Sequence, residues 1–311
     1  MITTITLNPS IDRTVTVRKP NWGGTNKITS TRLHAGGHGI YVSQVLDVLD
    51  VDNVAIGLAG RENYRDFASL LLKSGVYNDF VMLEGLTRTN LRVNDKSSGA
   101  VTELNESGMT LNEGDMERLD VLIKEHLQYN DVAVISGNPG GRTRSKLMET
   151  LVKDCKAQGA YVIVDMDGPF LQSACNGIPY MITPNVDELS TLTKERFRSR
   201  EDIIKAAREI TAVGIEVVVV KMGAEGMLYI TRRDALYAPA RNIRPVCTIG
   251  AGDAAVAALA FTKQWGMGGE AAIQLATSAG AAALLTEIGD PPMEQVIRDN
   301  AGIVEVQRIK V

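Results

Sequence analysis

The stretch TIGAGDAAVAALAF, residues 248–261, places small residues and one acid directly before an alanine-rich segment of helical character. We expect Gly250, Ala251 and Gly252 to form a turn whose backbone N–H groups, at a helix N-terminus, can hold an anion. Asp253 beside that turn could accept a proton from an attacking hydroxyl group. The alternative is that Asp253 only caps the helix. The stretch also matches the GxGxxA pattern of dinucleotide-binding proteins, although far from the first strand–helix unit.

A second glycine-rich stretch, HAGGHGIYVS at residues 34–43, leads into an apolar segment with helical spacing. Turns of this kind often hold anions, and Gly36 and Gly37 would let a ligand approach the backbone closely. A phosphate-binding loop usually contains a lysine, whereas this one contains His38 and Tyr41. Taken alone, His38 fits a structural or surface role better than a catalytic one.

Two further stretches follow predicted strands. In ITPNVDEL (182–189), Asn185 and Glu188 would share one face of a helix and could organise the water shell of Mg²⁺. The alternative is a turn followed by a helix whose first-turn acid complements the helix dipole. KMGAEGML (221–228) could form a glycine-rich turn beneath the phosphates of a nucleotide, or an ordinary hairpin turn.

The segment TRTNLRV (87–93) alternates polar and apolar residues in the manner of a strand. Arg88 and Asn90 would then lie on the same face of the strand, where an arginine could bind a phosphate group. The alternative is a polar strand face that only contacts water.

Composition excludes several classes of function. The 311 residues carry a net charge of −4 with no basic run, which argues against a nucleic-acid-binding protein. Three cysteines and three histidines are too few for a disulfide framework or a histidine-rich metal site, and they fit a reduced, cytoplasmic setting. The N-terminus reads as a strand rather than a signal peptide, and no apolar run is long enough to span a membrane. The Walker A, protein-kinase and GxSxG hydrolase motifs are absent.

Short apolar strands alternate with helical segments, which predicts a mainly parallel sheet covered by helices on both faces. The strands are predicted at 2–7, 54–60, 132–137, 160–167, 180–185 and 216–223, and the helices at 42–50, 67–76, 112–128, 143–157 and 200–213. A hairpin is predicted at 227–238, followed by a helix-rich last third. The segments 14–33 and 86–105 do not fit this core and predict a small antiparallel insertion over a site. Ligands bind at the carboxyl ends of such strands, where these motifs fall.

Together these stretches resemble the ribokinase-like PfkB carbohydrate kinase family along the whole chain. The resemblance rests on TLNPSID, AGGHGI, TRTN, TELNESG, VISGNPGG, TPNVDEL, KMGAEG and TIGAGD, which occur in the family's order and spacing. TLNPSID with TELNESG is most similar to the 1-phosphofructokinase and tagatose-6-phosphate kinase branch.

The resemblance implies a three-layer α/β/α domain over 1–311 with a small β-sheet lid at about 12–35 and 86–105. It implies a kinase using ATP and Mg²⁺ and a homodimer formed through the lid. Asp253 would be the proton acceptor and the amides of Gly250, Ala251 and Gly252 an anion hole. The remaining implied roles are ATP binding by Lys221, Gly223, Ala224, Glu225, Gly226 and Gly252, Mg²⁺ binding by Asn185 and Glu188, and substrate binding by Asp12, Gly36, Gly37, His38, Tyr41, Arg88 and Asn90.

The chain departs from the family pattern near the sugar and the phosphates. His38 replaces the usual lysine and Tyr41 the usual asparagine, whereas Lys221 stands where serine is common in this branch. A nearby phosphate would raise the pKa of His38 and let its charge partly replace the lysine. Arg142 or Arg144 could supply the missing charge instead.

The resulting expectation is phosphorylation of a ketohexose phosphate, with fructose 1-phosphate as the first choice and fructose 1,6-bisphosphate as its product. The alternatives are a tagatose-6-phosphate or fructose-6-phosphate kinase, another sugar or nucleoside kinase, and a sugar-phosphate-binding regulator without catalysis. A dinucleotide-dependent oxidoreductase is a remote further alternative.

Overall fold

The computed structural model describes residues 1–309 and arranges them around a ten-stranded sheet. The first seven strands are β1 (Ile2–Thr6), β2 (Ser10–Val17), β3 (Ile28–Gly36), β4 (Asn53–Gly60), β5 (Asn78–Leu83), β6 (Arg88–Asp95) and β7 (Val101–Asn105). The others are β8 (Val132–Ser136), β9 (Tyr161–Asp165), β10 (Met181–Ile182), β11 (Val217–Lys221), β12 (Met227–Ile230), β13 (Ala235–Ala238) and β14 (Gln307–Arg308).

Helices cover this sheet. They are α1 (His38–Val48), α2 (Tyr64–Ser74), α3 (Glu113–His126), α4 (Leu147–Ala157), α5 (Gly168–Asn176), α6 (Val186–Thr193), α7 (Arg200–Ala212), α8 (Ala251–Gln264), α9 (Gly269–Ala283) and α10 (Glu294–Ala301). A short 3₁₀ turn at Gly223–Glu225 separates β11 from β12. In the described part of the chain, no helix has both the length and the apolar character needed to cross a membrane.

The main sheet has the strand order β14-β13-β12-β11-β10-β9-β8-β1-β4-β5. Its strands from β11 to β5 run parallel, and β12, β13 and β14 extend it in antiparallel fashion. Parallel strands end at the same edge of a sheet, so the loops after β1, β8, β9 and β11 converge there.

Two hydrophobic cores lie on opposite faces of the main sheet, which makes the domain three layers thick. In β8, Val132 and Val134 pack with α1, α8, α9 and α10, whereas Ala133 and Ile135 pack with α3 to α7. This alternation follows from the two-residue period of a strand, and burial on both faces explains why the strands are apolar throughout. The predicted α/β/α architecture with a small second sheet is confirmed.

The second sheet, which we call the lid sheet, has the order β3-β2-β6-β7. The prediction of an antiparallel insertion was wrong for the centre of this sheet. β3 pairs with β2 and β7 with β6 in antiparallel fashion, but β2 and β6 come from separate segments and run parallel, aligning Ser10 with Arg88 and Asp12 with Asn90. Apolar side chains remain exposed on it, among them Ile28, Leu33 and Leu104. The homodimer implied by the resemblance and the single-domain assignment stay predictions.

Two helix starts predicted from the sequence were wrong, and one helix was not predicted. Helix α1 begins at His38 rather than residue 42, because the glycine-rich loop itself turns into the helix. The helix predicted from residue 143 begins at Leu147, after a loop held by a hydrogen bond from Thr143 to Gly140. Helix α5 was not foreseen, because Gly168 and Pro169 resemble a turn, although proline also fits the first turn of a helix.

Candidate functional site

The N-terminus of α8 opens into the cleft at the strand ends without a side-chain cap. Gly250 precedes the helix with φ +88°, a left-handed conformation that favours glycine. The first N–H groups of a helix have no partner within it, so those of α8 are available to a ligand. Asp253 is the third residue of the helix and is buried, with 9% of its surface exposed. The capping alternative for Asp253 is therefore excluded, since Gly250 holds that position.

His38, at the start of α1, contacts Asp253 directly. Its Nδ1 lies 2.9 Å from Oδ1 of Asp253. The charge of Asp253 and this hydrogen bond raise the pKa of His38 to about 9. The sequence pointed to a bound phosphate as the cause of such a shift, whereas in the structure a carboxylate of the chain itself, that of Asp253, lies beside the imidazole.

A second ion pair, which is largely buried, lies beside the first. Nζ of Lys221, at the end of β11, is 2.5 Å from Oδ1 of Asp165, at the end of β9, and Thr183 donates to the same oxygen. Burial favours the neutral forms, but the mutual attraction of the two groups outweighs it, lowering the pKa of Asp165 and raising that of Lys221. A Cβ built on Gly252 would lie 3.6 Å from Nζ of Lys221, so this ammonium borders the open end of α8.

His38, Asp165 and Asp253 bring one ligand atom each within 4.8 Å of one another, a spacing that could hold a metal ion. However, each of the two carboxylates already faces a cation of the chain, Lys221 or His38. The site is therefore better described as two adjacent ion pairs, His38 with Asp253 and Lys221 with Asp165.

Asn185 and Glu188, the predicted Mg²⁺ ligands, form a capping box at the start of α6. The Asn185 side chain accepts a hydrogen bond from the Glu188 N–H, and the Glu188 carboxylate accepts from both the backbone and the side chain of Asn185. Glu188 lines the cleft, and its pKa is raised mainly by burial. The alternative interpretation, a capped helix start, describes this geometry, and the metal-binding role stays a prediction.

The predicted ATP-binding residues separate into two groups. Lys221 and Gly252 line the cleft. Gly223, Ala224, Glu225 and Gly226 form the turn between two antiparallel strands, with exposed residues at 223–225. Both alternatives for KMGAEGML therefore remain compatible with the structure, because a hairpin turn can also border a nucleotide.

A second cavity lies beneath the lid sheet and contains Asp12, which is buried. Its Oδ1 accepts hydrogen bonds from Ser10 Oγ at 2.6 Å and Asn90 Nδ2 at 2.9 Å. A Cβ at Gly36 would collide with Asp12 and Ser10, which explains why this position needs a glycine. The structure thus brings together the predicted residues Asp12, Gly36, Gly37, His38, Tyr41, Arg88 and Asn90 around one cavity.

An arginine and a histidine that line this cavity were not singled out from the sequence motifs. Nη2 of Arg92 is 2.9 Å from Oδ2 of Asp12, and its Nε donates to Glu103 at 2.7 Å. His34 lies 3.6 Å from Asp12, and its pKa is lowered mainly by burial. The sequence did contain a signal for Arg92. It follows Arg88 and Asn90 at the two-residue period of a strand, which predicts that all three lie on the same strand face.

Arg88 borders both cavities and is bonded to main-chain carbonyl groups, those of Asn8 and Glu106. Within residues 1–309, no carboxylate lies within 4.0 Å of its guanidinium group, and burial lowers its pKa. The arginines suggested as replacements for the missing lysine lie elsewhere. Arg144 is exposed and pairs with Glu113, and the backbone N–H of Arg142 donates to Thr110.

The remaining wall of the lid cavity comes from the loop between α9 and α10. Tyr41 donates a hydrogen bond from its hydroxyl to the Asp290 carbonyl at 3.1 Å, and burial raises its pKa to about 12. Arg32 of the lid sheet pairs with Glu287 at 2.5 Å and with Asp290 at 2.8 Å. These contacts connect the lid sheet and α1 to the loop between α9 and α10.

The two cavities meet at Asp253. The cleft at the strand ends has a volume of about 340 Å³ and the lid cavity about 240 Å³. Both are lined by His38, Arg88, Gly250 and Asp253. A group in one cavity could therefore react with a group in the other at the Asp253 carboxylate, beside the open end of α8.

The chain is similar to known proteins over most of its length. Residues 5–295 match the pfkB family carbohydrate kinases. The chain is 32% identical to the 1-phosphofructokinase of Rhodobacter capsulatus, covering 95% of this chain and 94% of that one. It is 30% identical to the 1-phosphofructokinase of Vibrio cholerae, covering 93% and 90%. The structure of phosphofructokinase-2 from Escherichia coli in complex with fructose-6-phosphate has a TM-score of 0.90 and 27% identity, covering 97% of this chain and 98% of that one.

Proposed function

This chain belongs to the pfkB family of carbohydrate kinases, and we propose that it transfers the γ-phosphoryl group of ATP to a hydroxyl of a phosphorylated ketohexose. As a member of this family it is a phosphotransferase that uses an alcohol as the acceptor. One observation carries the proposal: the uncapped end of α8 and the carboxylate of Asp253 lie where the two cavities meet.

In this proposal the cleft at the strand ends takes the triphosphate and the lid cavity takes the sugar. Asp253 accepts the proton of the attacking hydroxyl, while the free N–H groups of Ala251 and Gly252 and the ammonium of Lys221 stabilise charge on the transferring group. Phosphoryl transfer depends mainly on alignment and charge neutralisation, which such an arrangement supplies.

The cleft also offers a donor set that fits hydrated Mg²⁺. Each carboxylate oxygen of Glu188 accepts a hydrogen bond from Asn185 and keeps further acceptor capacity toward the cleft. Mg²⁺ usually retains several waters, so Glu188 would hold the ion through them, with Asn185 fixing the carboxylate. When bound, the ion would neutralise phosphate charge. ATP and Mg²⁺ are therefore the proposed cofactors.

The acceptor is proposed to be fructose 1-phosphate, in line with the 1-phosphofructokinases that the chain resembles. Asp12 and Asn90 would bind sugar hydroxyl groups, and Arg88 would bind the phosphate that the sugar already carries. The support for Arg88 is its position between the cavities without a carboxylate partner among residues 1–309. Fructose 6-phosphate is the second candidate, because the similar phosphofructokinase-2 structure contains that sugar.

The test is ADP release with Mg-ATP and fructose 1-phosphate, fructose 6-phosphate, tagatose 6-phosphate, fructose or a nucleoside. We expect a clear preference for fructose 1-phosphate. In Arg88→Gln, the KM for the phosphorylated sugar should rise about ten- to a hundredfold, the effect of losing a hydrogen bond between charged groups.

Arg144→Gln is the matched control, because Arg144 pairs with Glu113 on the surface away from both cavities. A preference for fructose 6-phosphate would change the substrate but keep the reaction. Equal rates with free fructose, with no effect of Arg88→Gln, would contradict the phosphate-binding role. Tight sugar-phosphate binding without ADP release would instead indicate a regulator.

A further inference from the structure

His38 lies in the wall between the two cavities and is held from two sides. One edge of the imidazole places Nδ1 2.9 Å from Oδ1 of Asp253. The other side packs on the loop after β8, where a Cβ built on Gly137 would lie 2.8 Å from Cδ2 of His38. The ring is thereby fixed against the carboxylate, although 58% of its side-chain surface is exposed to the cavities.

Charged groups from three elements face this imidazole. Asp253 comes from α8, Asp165 from the end of β9 and Lys221 from the end of β11. Asp165 already has Lys221 as its partner at 2.5 Å. Within residues 1–309, Asp253 forms an ion pair with His38 and with no other residue. Each acid therefore has its own cationic partner, Lys221 for Asp165 and His38 for Asp253.

This arrangement keeps His38 charged at neutral pH. The attraction and hydrogen bond of Asp253 raise the pKa of His38 to about 9, outweighing partial desolvation of the ring and the repulsion from Lys221. The raised value means that the imidazolium is present below about pH 9 and is lost above it. A lysine at this position would stay charged to about pH 10.4, its ordinary pKa.

We propose that His38 is a positioning residue for Asp253, holding one carboxylate oxygen so that the other faces the acceptor hydroxyl. The inference rests on the proposed function. In the step itself, the hydroxyl proton passes to the free oxygen of Asp253, and the sugar oxygen bonds to the γ-phosphorus. The bond from that phosphorus to the bridging oxygen of ADP breaks, and ADP leaves. His38 keeps its proton throughout.

The kinetic test compares His38→Gln and His38→Lys across pH 6 to 10.5, using the acceptor that the unaltered enzyme prefers. For the unaltered enzyme, kcat/KM should fall above about pH 9. His38→Lys should move this fall to higher pH. His38→Gln should abolish it and lower kcat about ten- to a hundredfold, while KM for the sugar stays within about threefold.

His126→Gln is the matched control, because His126 also pairs with an aspartate, Asp79, at 3.0 Å but lies outside both cavities. It should leave the kinetics and the pH profile unchanged. An unchanged fall in His38→Lys would overturn the proposal. A rise in KM with an unaffected kcat in His38→Gln would also overturn it and assign His38 to the substrate's phosphate.

An NMR titration tests the pairing without kinase activity. With ¹⁵N-labelled histidine, the His38 resonance should titrate near pH 9 in the unaltered protein and near the ordinary value of about 6.5 in Asp253→Asn. The signals of His126 provide an internal reference. An identical midpoint in both proteins would refute the pairing even in a protein that is an active kinase. A shifted midpoint in a protein that phosphorylates none of the sugars would disprove the proposed function and retain the pair.

Discussion

Two helices begin at the same cleft, and their first turns are built in opposite ways. Helix α6 is closed by the capping box of Asn185 and Glu188, whereas α8 starts from Gly250 with no side-chain cap. A capped end satisfies its own N–H groups, but an uncapped end leaves them for a partner from outside the chain. The comparison shows that the side chains of α6 already bond to its first N–H groups, whereas the first N–H groups of α8 have no side-chain partner among residues 1–309 and can bind a ligand.

The largest effect should come from the first turn of α8. Asp253→Asn should lower turnover by about 10²–10⁴-fold, since general base catalysis contributes about that much, and should leave ATP affinity nearly unchanged. ADP release and equilibrium ATP binding measure the two quantities.

The matched variant is Asp187→Asn, which makes the same change at an exposed residue in the first turn of α6. We expect its turnover to equal that of the unaltered enzyme. If both variants lost activity alike, the distinction between the two helix ends would not hold.

The next effect concerns the turn that leaves α8 uncapped. Gly250→Ala should lower the free energy of unfolding by about 2–4 kcal/mol, from a strained left-handed residue and overlap with a neighbour. A Cβ there would lie 2.8 Å from the Tyr41 ring. Denaturant unfolding measures the change.

Gly223→Ala separates the backbone strain from the overlap with the Tyr41 ring. Gly223 also has a positive φ, +58°, but a Cβ there meets nothing within 4 Å. It should cost only the strain, about 1–2 kcal/mol. Equal losses in the two variants would show that Tyr41 moves aside and that contact with it does not restrict the turn.

The smallest effect tests whether the capped end has a second role. Glu188→Gln retains a residue that can complete the capping box, so stability should change by less than about 0.5 kcal/mol. The Mg²⁺ concentration for half-maximal rate should rise about ten- to a hundredfold, as expected for a lost outer-shell contact to a metal. Asp202→Asn, in the capping box of α7, should leave this concentration unchanged. A Mg²⁺ requirement that is the same in both variants would limit Glu188 to capping.

The sequence was most informative where periodicity and order along the chain decide the structure. Buried β-branched runs predicted the strands of the main sheet, and the motifs fell at their carboxyl ends. It was less informative where two roles need the same residues. Asn185 and Glu188 have the spacing of a capping box and of a metal site, and no pattern separates them. Asp253 could be distinguished from a cap only once the conformation of Gly250 was known.

The pairing of side chains from distant parts of the chain could also not be predicted from the sequence. His38 and Asp253 are 215 residues apart, so their contact depends on how α1 and α8 pack together. From the sequence, a phosphate of the ligand was therefore the expected source of the charge on His38, rather than Asp253. The role of each site residue stays a prediction.

The lid sheet has a consequence for how the molecule folds. Its central strands, β2 and β6, belong to separate segments of the chain, and Asp12 bonds to Asn90 across 78 residues. Closing so long a loop is costly before β1, β4 and β5 have paired and brought the two segments together. The lid sheet therefore depends on the pairing of β1, β4 and β5, and destabilising this part of the main sheet should also disrupt the lid cavity.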